Sequence, residues 1–345
     1  MNGTDAIRKK FEKPEPDTWD LAELFLLRDF SAVYREADRV REERKGNIVR
    51  LRAIIEFSNI CSQNCLYCGL RRDNEEINRY AMTGEEILRT AEEAVGAGYE
   101  TIVLQSGEGS LSPEALGDIV ASIKSMKTKK GVHPAVTLSC GQMKKEDYAL
   151  LRKRGADRYL LKHETADRDL YRRLHPQGGG LKERLECLEL LRDLGYETGS
   201  GFMTGLPGQT VRILAEDLLL LKKAGCSMAG IGPFIPNPKT PLGKEAAGDP
   251  ETARRAVALG RLLLPEANLP VTTALSVAAG AEEGEAGKDG ENPFSFGANV
   301  VMKKVTPDRY KRDYEIYPAE LGKTRIKEDR RNLEILVKSF GREPL

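Results

Sequence analysis

Eight short β-rich runs, each followed by a loop and an amphipathic helical stretch, recur along this chain and predict an α/β fold: a complete (β/α)8 barrel of the TIM type. Length agrees, because an eight-stranded parallel barrel typically occupies about 250 residues, and the runs extend over 52–302 of 345 residues. Placement is the third observation. The unusual polar and cysteine residues fall just after the runs, where the loops of such a barrel carry its chemistry.

The strand runs are 52–57, 101–105, 135–139, 158–163, 197–203, 228–233, 271–275 and 298–302. Helical patterns separate them at 83–97, 113–127, 145–155, 181–195, 210–225 and 250–264. The first is opened by Thr83 with Glu86 three residues on, a capping box, and closes near Gly98. Further helical stretches at 20–43 and 325–340 lead us to expect an N-terminal helical extension over 1–50, the barrel over 51–318 and a C-terminal helical extension over 319–345.

Lys and Arg total 54 against 53 for Asp and Glu, so no basic field gathers nucleic acid or anionic lipid, and neither is expected as a partner. The charged start, with Pro14 and Pro16, has no apolar run ahead of a cleavage site, and no segment approaches the roughly 20 apolar residues of a membrane span. A cytoplasmic protein without membrane contact is the expectation. Six cysteines are too few for a disulfide scaffold in this length, and three of them lie within eight positions, which points to metal.

Those three, Cys61, Cys65 and Cys68, form a C-x-x-x-C-x-x-C loop after the first run. Four thiolates normally complete a 4Fe-4S cluster, so three leave one iron open to a small chelating ligand. A zinc ribbon would need a second Cys or His pair, and none follows at suitable spacing. A protein that only carries a cluster or relays electrons would ordinarily supply the fourth ligand. After the second run comes Gln105-Ser106-Gly107-Glu108, a small-residue turn followed by an acid. The fourth run ends in Lys162-His163-Glu164-Thr165, whose ionisable groups need partners if buried: a bound zwitterion, or a structural ion pair with Arg184. The glycine-rich stretch from Gly201 to Thr210 lets backbone approach a ligand closely, or is simply a tight turn. Cys140, Cys187 and Cys226 read as small core or helix residues.

The cysteine loop, with aromatic Tyr67 before its last cysteine, resembles the signature of the radical S-adenosylmethionine (SAM) superfamily. Longer strings are similar to the HydE family of FeFe-hydrogenase maturases from about Ala32 to Tyr317, among them Thr101 through Glu108, Arg158 through Ala166, Gly205-Leu206-Pro207-Gly208-Gln209-Thr210 and Ile231 through Pro236. The resemblance implies an enzyme that reductively cleaves SAM to a 5′-deoxyadenosyl radical during assembly of the hydrogenase di-iron subcluster, with a 4Fe-4S cluster on Cys61, Cys65 and Cys68. It implies SAM contacts at Tyr67, Ser106, Gly107, Glu108, Ser139, Glu164, Arg184 and Met203. It implies a substrate cavity lined by Gln105, Thr137, Lys162, Thr272, Thr273, Met302 and Tyr317. The implied partners are a small, iron-bound or sulfur-bearing substrate, an electron donor such as flavodoxin or ferredoxin, and other hydrogenase maturases.

This chain departs from the family at Lys162 and His175, where arginines are expected, and at Lys303-Lys304, where Pro-Asn is usual. The Gly- and Glu-rich loop 278–293 also differs and is expected to be mobile. No cysteine follows Cys226, so a second, C-terminal cluster cannot form. Two relatives compete: a methylornithine-synthase-like mutase, opposed by the Gln105–Glu108 and Gly205–Thr210 strings, and a biotin-synthase-like sulfur insertase, which would need more cysteines on the strands.

Overall fold

In the computed structural model, which describes residues 3–12, 16–278, 292–319 and 322–345, eight strands follow one another in parallel around a barrel. They are β1 (Ile48–Ser58), β2 (Thr101–Ser106), β3 (Ala135–Ser139), β4 (Arg158–Leu160), β5 (Glu197–Thr204), β6 (Met228–Pro233), β7 (Pro270–Val271) and β8 (Val300–Lys304). Hydrogen-bonded neighbours run β6-β5-β4-β3-β2-β1-β8-β7. The remaining seam, β6 to β7, is held by the Ala229 amide on Asn268 O at 3.2 Å, the Asn268 amide on Ser227 O at 2.8 Å, and Thr272 Oγ1 on Ile231 O at 3.2 Å.

The helices form where the sequence caps them. Thr83 accepts from the Glu86 amide while Glu86 accepts from the Thr83 amide, starting Gly84–Ala97. Gly98 ends that helix at φ 113°, a conformation only glycine adopts cheaply. The fully buried Arg261, on helix Pro250–Leu263, donates to the carbonyls of Gly297, Pro265 and Ala267 and to Asn299 Oδ1. Asn299 Oδ1 also accepts from the Leu269 amide, so one guanidinium fastens the approaches to β7 and β8.

Two strand runs are shorter than expected, for local reasons. The run at 271–275 yields only β7, because Thr272 accepts the Leu275 amide on both its carbonyl and its Oγ1, and helix Thr273–Ala278 begins. The run at 158–163 leaves the ladder after Leu160 and turns sharply at Glu164. Among the described residues the N-terminal region holds helices Gly3–Phe11, Thr18–Phe25 and Ser31–Lys45. After helix Ile326–Ser339 the chain ends in β9 (Glu343–Pro344), which pairs with Ile48 and Val49 at the start of β1. Most of loop 278–293, at 279–291, lies outside the described residues. Among those described, no helix is long and apolar enough to cross a membrane.

Candidate active site at the barrel mouth

Which side chains face the lumen follows from one contact and the register. Arg52 Nη1 donates to Met228 Sδ at 3.3 Å, although β1 and β6 are not neighbours, so both residues point across the barrel. Alternation then turns Ile54 and Glu56 inward. Paired residues of parallel strands share a face, and the register carries the inward face around through Gln105, Ser139 and Thr137, Arg158 and Leu160, Gly199, and Met228, and on the other side to Met302 and Lys304. Of the expected cavity residues, Gln105, Thr137 and Met302 thus face the lumen, as does Ser139. By the same alternation Lys162, Gly201, Met203, Gly230 and Gly232 follow.

The β5 and β6 wall of the lumen is largely glycine, and a Cβ at Gly230 would meet nothing within 4 Å. Space is left inside, and it is polar. Arg52 Nε and Nη2 and Thr137 Oγ1 are buried without hydrogen-bond partners among the described residues. Burial, together with Arg158, pulls the Arg52 pKa down to about 9. Higher up, Lys304 pairs with the buried Glu56 at 3.2 Å, and Gln105 Nε2 donates to Tyr314 at 3.2 Å. Tyr317 lies beside them, lining a cavity of about 250 Å³ with Lys304, Arg312 and Tyr314. Thr272 Oγ1 stands where a Cβ on Gly232 would come within 2.6 Å, while Thr273 opens the short helix beyond.

The cysteine loop closes over this mouth, and each cysteine is tied to a different part of the barrel. The Glu108 amide donates to Cys61 Sγ at 3.4 Å and the Ser62 amide to Glu108 O at 2.9 Å. The Leu66 amide bonds Leu174 O, and the Gly69 amide bonds Ile316 O, each at 2.9 Å. Arg79 stiffens the loop from within by donating to the carbonyls of Asn59, Leu70, Arg71 and Asn74. Gly107 is required by contact, since a Cβ there would lie 2.1 Å from Ile60 O.

Around the thiols stand the other expected ligand contacts. The Glu108 carboxylate accepts from Gln63 Nε2 at 2.5 Å and from the Gln142 amide at 2.9 Å, while the Ser106 hydroxyl turns back onto Gly107 O. Glu164 has φ 64° with the Thr165 amide bonded to His163 O, a γ-turn of the strained hand, and its carboxylate pairs with Lys162 at 3.0 Å. Arg184 Nε donates to Tyr171 Oη at 3.0 Å. The alternative ion pair for the Lys162–Thr165 string is therefore made within the string, and not with Arg184. Tyr67 and Met203 pack on one small apolar cluster with Leu170, Leu174, Leu206 and Phe234.

Over 326 residues, 93% of this chain and 89% of the other, 47% of positions are identical to the [FeFe] hydrogenase maturase subunit HydE of Thermotoga maritima. This chain belongs to the HydE family. The radical SAM superfamily profile matches residues 55–221, which run from β1 through the cysteine loop to the helix after β5. Like the rest of that superfamily, this HydE-family enzyme uses a 4Fe-4S cluster and SAM. The 3-methylornithine synthase of Methanosarcina acetivorans is 28% identical over 90% of this chain and 87% of that protein. A crystal structure of methylornithine synthase superposes with a TM-score of 0.80, covering 98% of this chain and 96% of that one. At 23% identity that likeness shows the shared barrel alone.

His175, the departure beside Tyr67, has a definite tautomer. Its Nδ1 lies 2.9 Å from Tyr171 O, which can only accept, so Nδ1 carries the proton and Nε2 receives the Tyr67 hydroxyl at 3.1 Å. Burial pulls its pKa down to about 4, so the folded protein binds fewer protons here than the unfolded chain between pH 4 and 6.5. The contribution of this imidazole to stability is therefore constant above pH 6.5 and falls as pH drops through that window, by about 3 kcal/mol in all. Denaturant unfolding of cluster-free protein across this range should show the decline, and His175→Gln should flatten it.

Proposed function

We propose that Cys61, Cys65 and Cys68 hold the 4Fe-4S cluster, that Tyr67, Ser106, Gly107, Glu108, Ser139, Glu164, Arg184 and Met203 hold SAM beside it, and that the enzyme acts as a maturase on a small substrate in the lumen during assembly of the FeFe-hydrogenase di-iron subcluster. One observation carries this reading: three thiols, tethered to different parts of the rim, stand over a polar lumen. Among the described residues no three His, Cys, Asp or Glu side chains stand close enough to share one ion. A 4Fe-4S cluster gives each thiol its own iron, so the three need not converge on one ion. Burial pushes the Cys65 thiol up to about 12, so taking up iron releases protons.

Bound there, the cluster would supply the electron that cleaves SAM. The chain's own part is placement. Glu164 and Glu108 present carboxylates to an ammonium group, and the apolar cluster under Tyr67 and Met203 offers a surface for a purine. Below, Arg52 and Lys162 are the cations, with Thr137 a hydroxyl, for a substrate bearing negative charge. Lys162 recognises an anion as a point charge and not as a planar fork. Thr272, Thr273, Met302 and Tyr317 complete the cavity in this reading, and a flavodoxin or ferredoxin supplies the electron.

Protein reconstituted without oxygen and given a strong reductant should turn SAM into 5′-deoxyadenosine and methionine; no product from cluster-replete protein would refute the reading. Glu164→Ala and Arg184→Ala should each weaken SAM binding at least about tenfold, the loss of one charge-assisted contact, with iron content intact. Unchanged affinity would remove those residues from the site.

A further inference from the structure

Asp217 lies on helix Val211–Lys223 with no exposed surface, spaced with Leu214, Leu218 and Leu221 on the helix's buried face. A carboxylate held away from water needs partners, and its partners come from two loops of the barrel rim. Oδ1 accepts from the Ala166 amide, two residues past the γ-turn at Glu164. Oδ2 accepts from Gln209 Nε2 at 3.2 Å. Gln209 spends its other bonds on the end of β5 and the loop after it, donating to Met203 O at 2.8 Å and accepting from the Gly205 amide at 2.7 Å. The Glu164 loop also touches β5 directly, through the Met203 amide on Glu164 O at 3.2 Å.

The third neighbour is the fully buried His163, whose Nε2 lies 3.6 Å from Asp217 Oδ1. Ser200 donates its own hydroxyl proton to Leu161 O at 2.9 Å, so it can only accept from His163 Nδ1, also at 2.9 Å. With Nδ1 given to Ser200, it is Nε2 that faces the Asp217 carboxylate. Every polar atom of Asp217 is thus directed at one of the two rim loops or at the residue preceding Glu164.

We propose that Asp217 is a positioning residue for SAM: it clamps the loop bearing Glu164 to the end of β5 that bears Met203 and to the loop that follows it, and so helps to hold the strained turn that presents the Glu164 carboxylate. The inference rests on the assignment of Glu164 and Met203 to SAM. An Asn side chain has the same shape but one acceptor. If its oxygen takes the Ala166 amide, its NH2 meets the NH2 of Gln209; if it flips, the Ala166 amide meets a donor. An isosteric replacement can therefore serve only one loop.

The test is equilibrium SAM binding and steady-state cleavage by cluster-replete enzyme in a double-mutant cycle. Asp217→Asn should raise the Kd for SAM at least tenfold, while iron content and the rate at saturating SAM stay within threefold. Glu164→Gln should cost at least tenfold in the native background but less than threefold on top of Asp217→Asn, because the carboxylate is already misplaced. Gln209→Met, which severs the Met203 arm on a half-buried side chain, is the second variant should Asp217→Asn not fold, and should raise the Kd at least threefold. A loss in Glu164→Gln with native affinity in Asp217→Asn, or additive losses, overturns the clamp alone; with Asp217→Asn unfolded, native affinity in Gln209→Met does so. Native affinity in Glu164→Gln overturns the assignment of Glu164 to SAM and the clamp with it.

Discussion

Cys65→Ser is expected to abolish the formation of 5′-deoxyadenosine. The serine oxygen is a poor iron ligand, and the loop offers no substitute. Cys61 is fixed beside the Glu108 amide, and the amides after Cys65 and Cys68 are bonded to Leu174 and Ile316. A neighbouring thiol cannot swing in, since Cys140, Cys187 and Cys226 are buried elsewhere, Cys140 with its thiol on Leu104 O. Cys140→Ser should accordingly retain cleavage. Quantifying the nucleoside product over time for the three proteins checks both statements, and equal turnover by Cys65→Ser would contradict the role of the loop.

Gly107→Ala should be nearly as damaging without touching a proposed iron ligand. The added methyl would sit 2.1 Å from Ile60 O and 2.8 Å from Cys61 Cβ, and both are held, Ile60 by its place in the loop that Arg79 braces. Either the turn after β2 or the cysteine loop must move, and the Glu108 amide on Cys61 Sγ goes with it. Forcing a methyl into such a contact costs about 3 kcal/mol. Iron content after reconstitution should fall, and a native iron content with native melting temperature would show that the two loops do not meet as described.

Much of this was legible in the residues. β3 and β6 begin and end where their runs do. β7 was not, since Thr272 and Thr273 read as β-branched strand residues while Thr272 uses its oxygens to start a helix. The sharp turn at Glu164 also leaves no local signal: at φ 64° it is held from outside its own segment, by two bonds to β5, made with Gly201 O and the Met203 amide, and by Asp217 on the Ala166 amide. Arg52 could have been found, because alternation along β1 aims it inward with Glu56. Asp217 could have been too: an acid at i+3 from Leu214, one residue before Leu218, falls on the apolar stripe where a solvated charge does not belong. What no spacing reveals is which polar atoms inside the lumen lack partners, since that depends on contacts across the barrel such as Arg52 to Met228.

Restoring hydrogen evolution in a cell distinguishes a hydrogenase maturase from a radical SAM barrel with another substrate. The chain should be expressed in a strain that carries an FeFe hydrogenase and its other maturases but lacks its own HydE, with hydrogen evolution as the readout. The native sequence should restore evolution and Cys65→Ser should not. Failure of the native chain, with its cluster loaded and SAM cleaved in vitro, would contradict the maturase role and leave a radical SAM enzyme that serves another substrate.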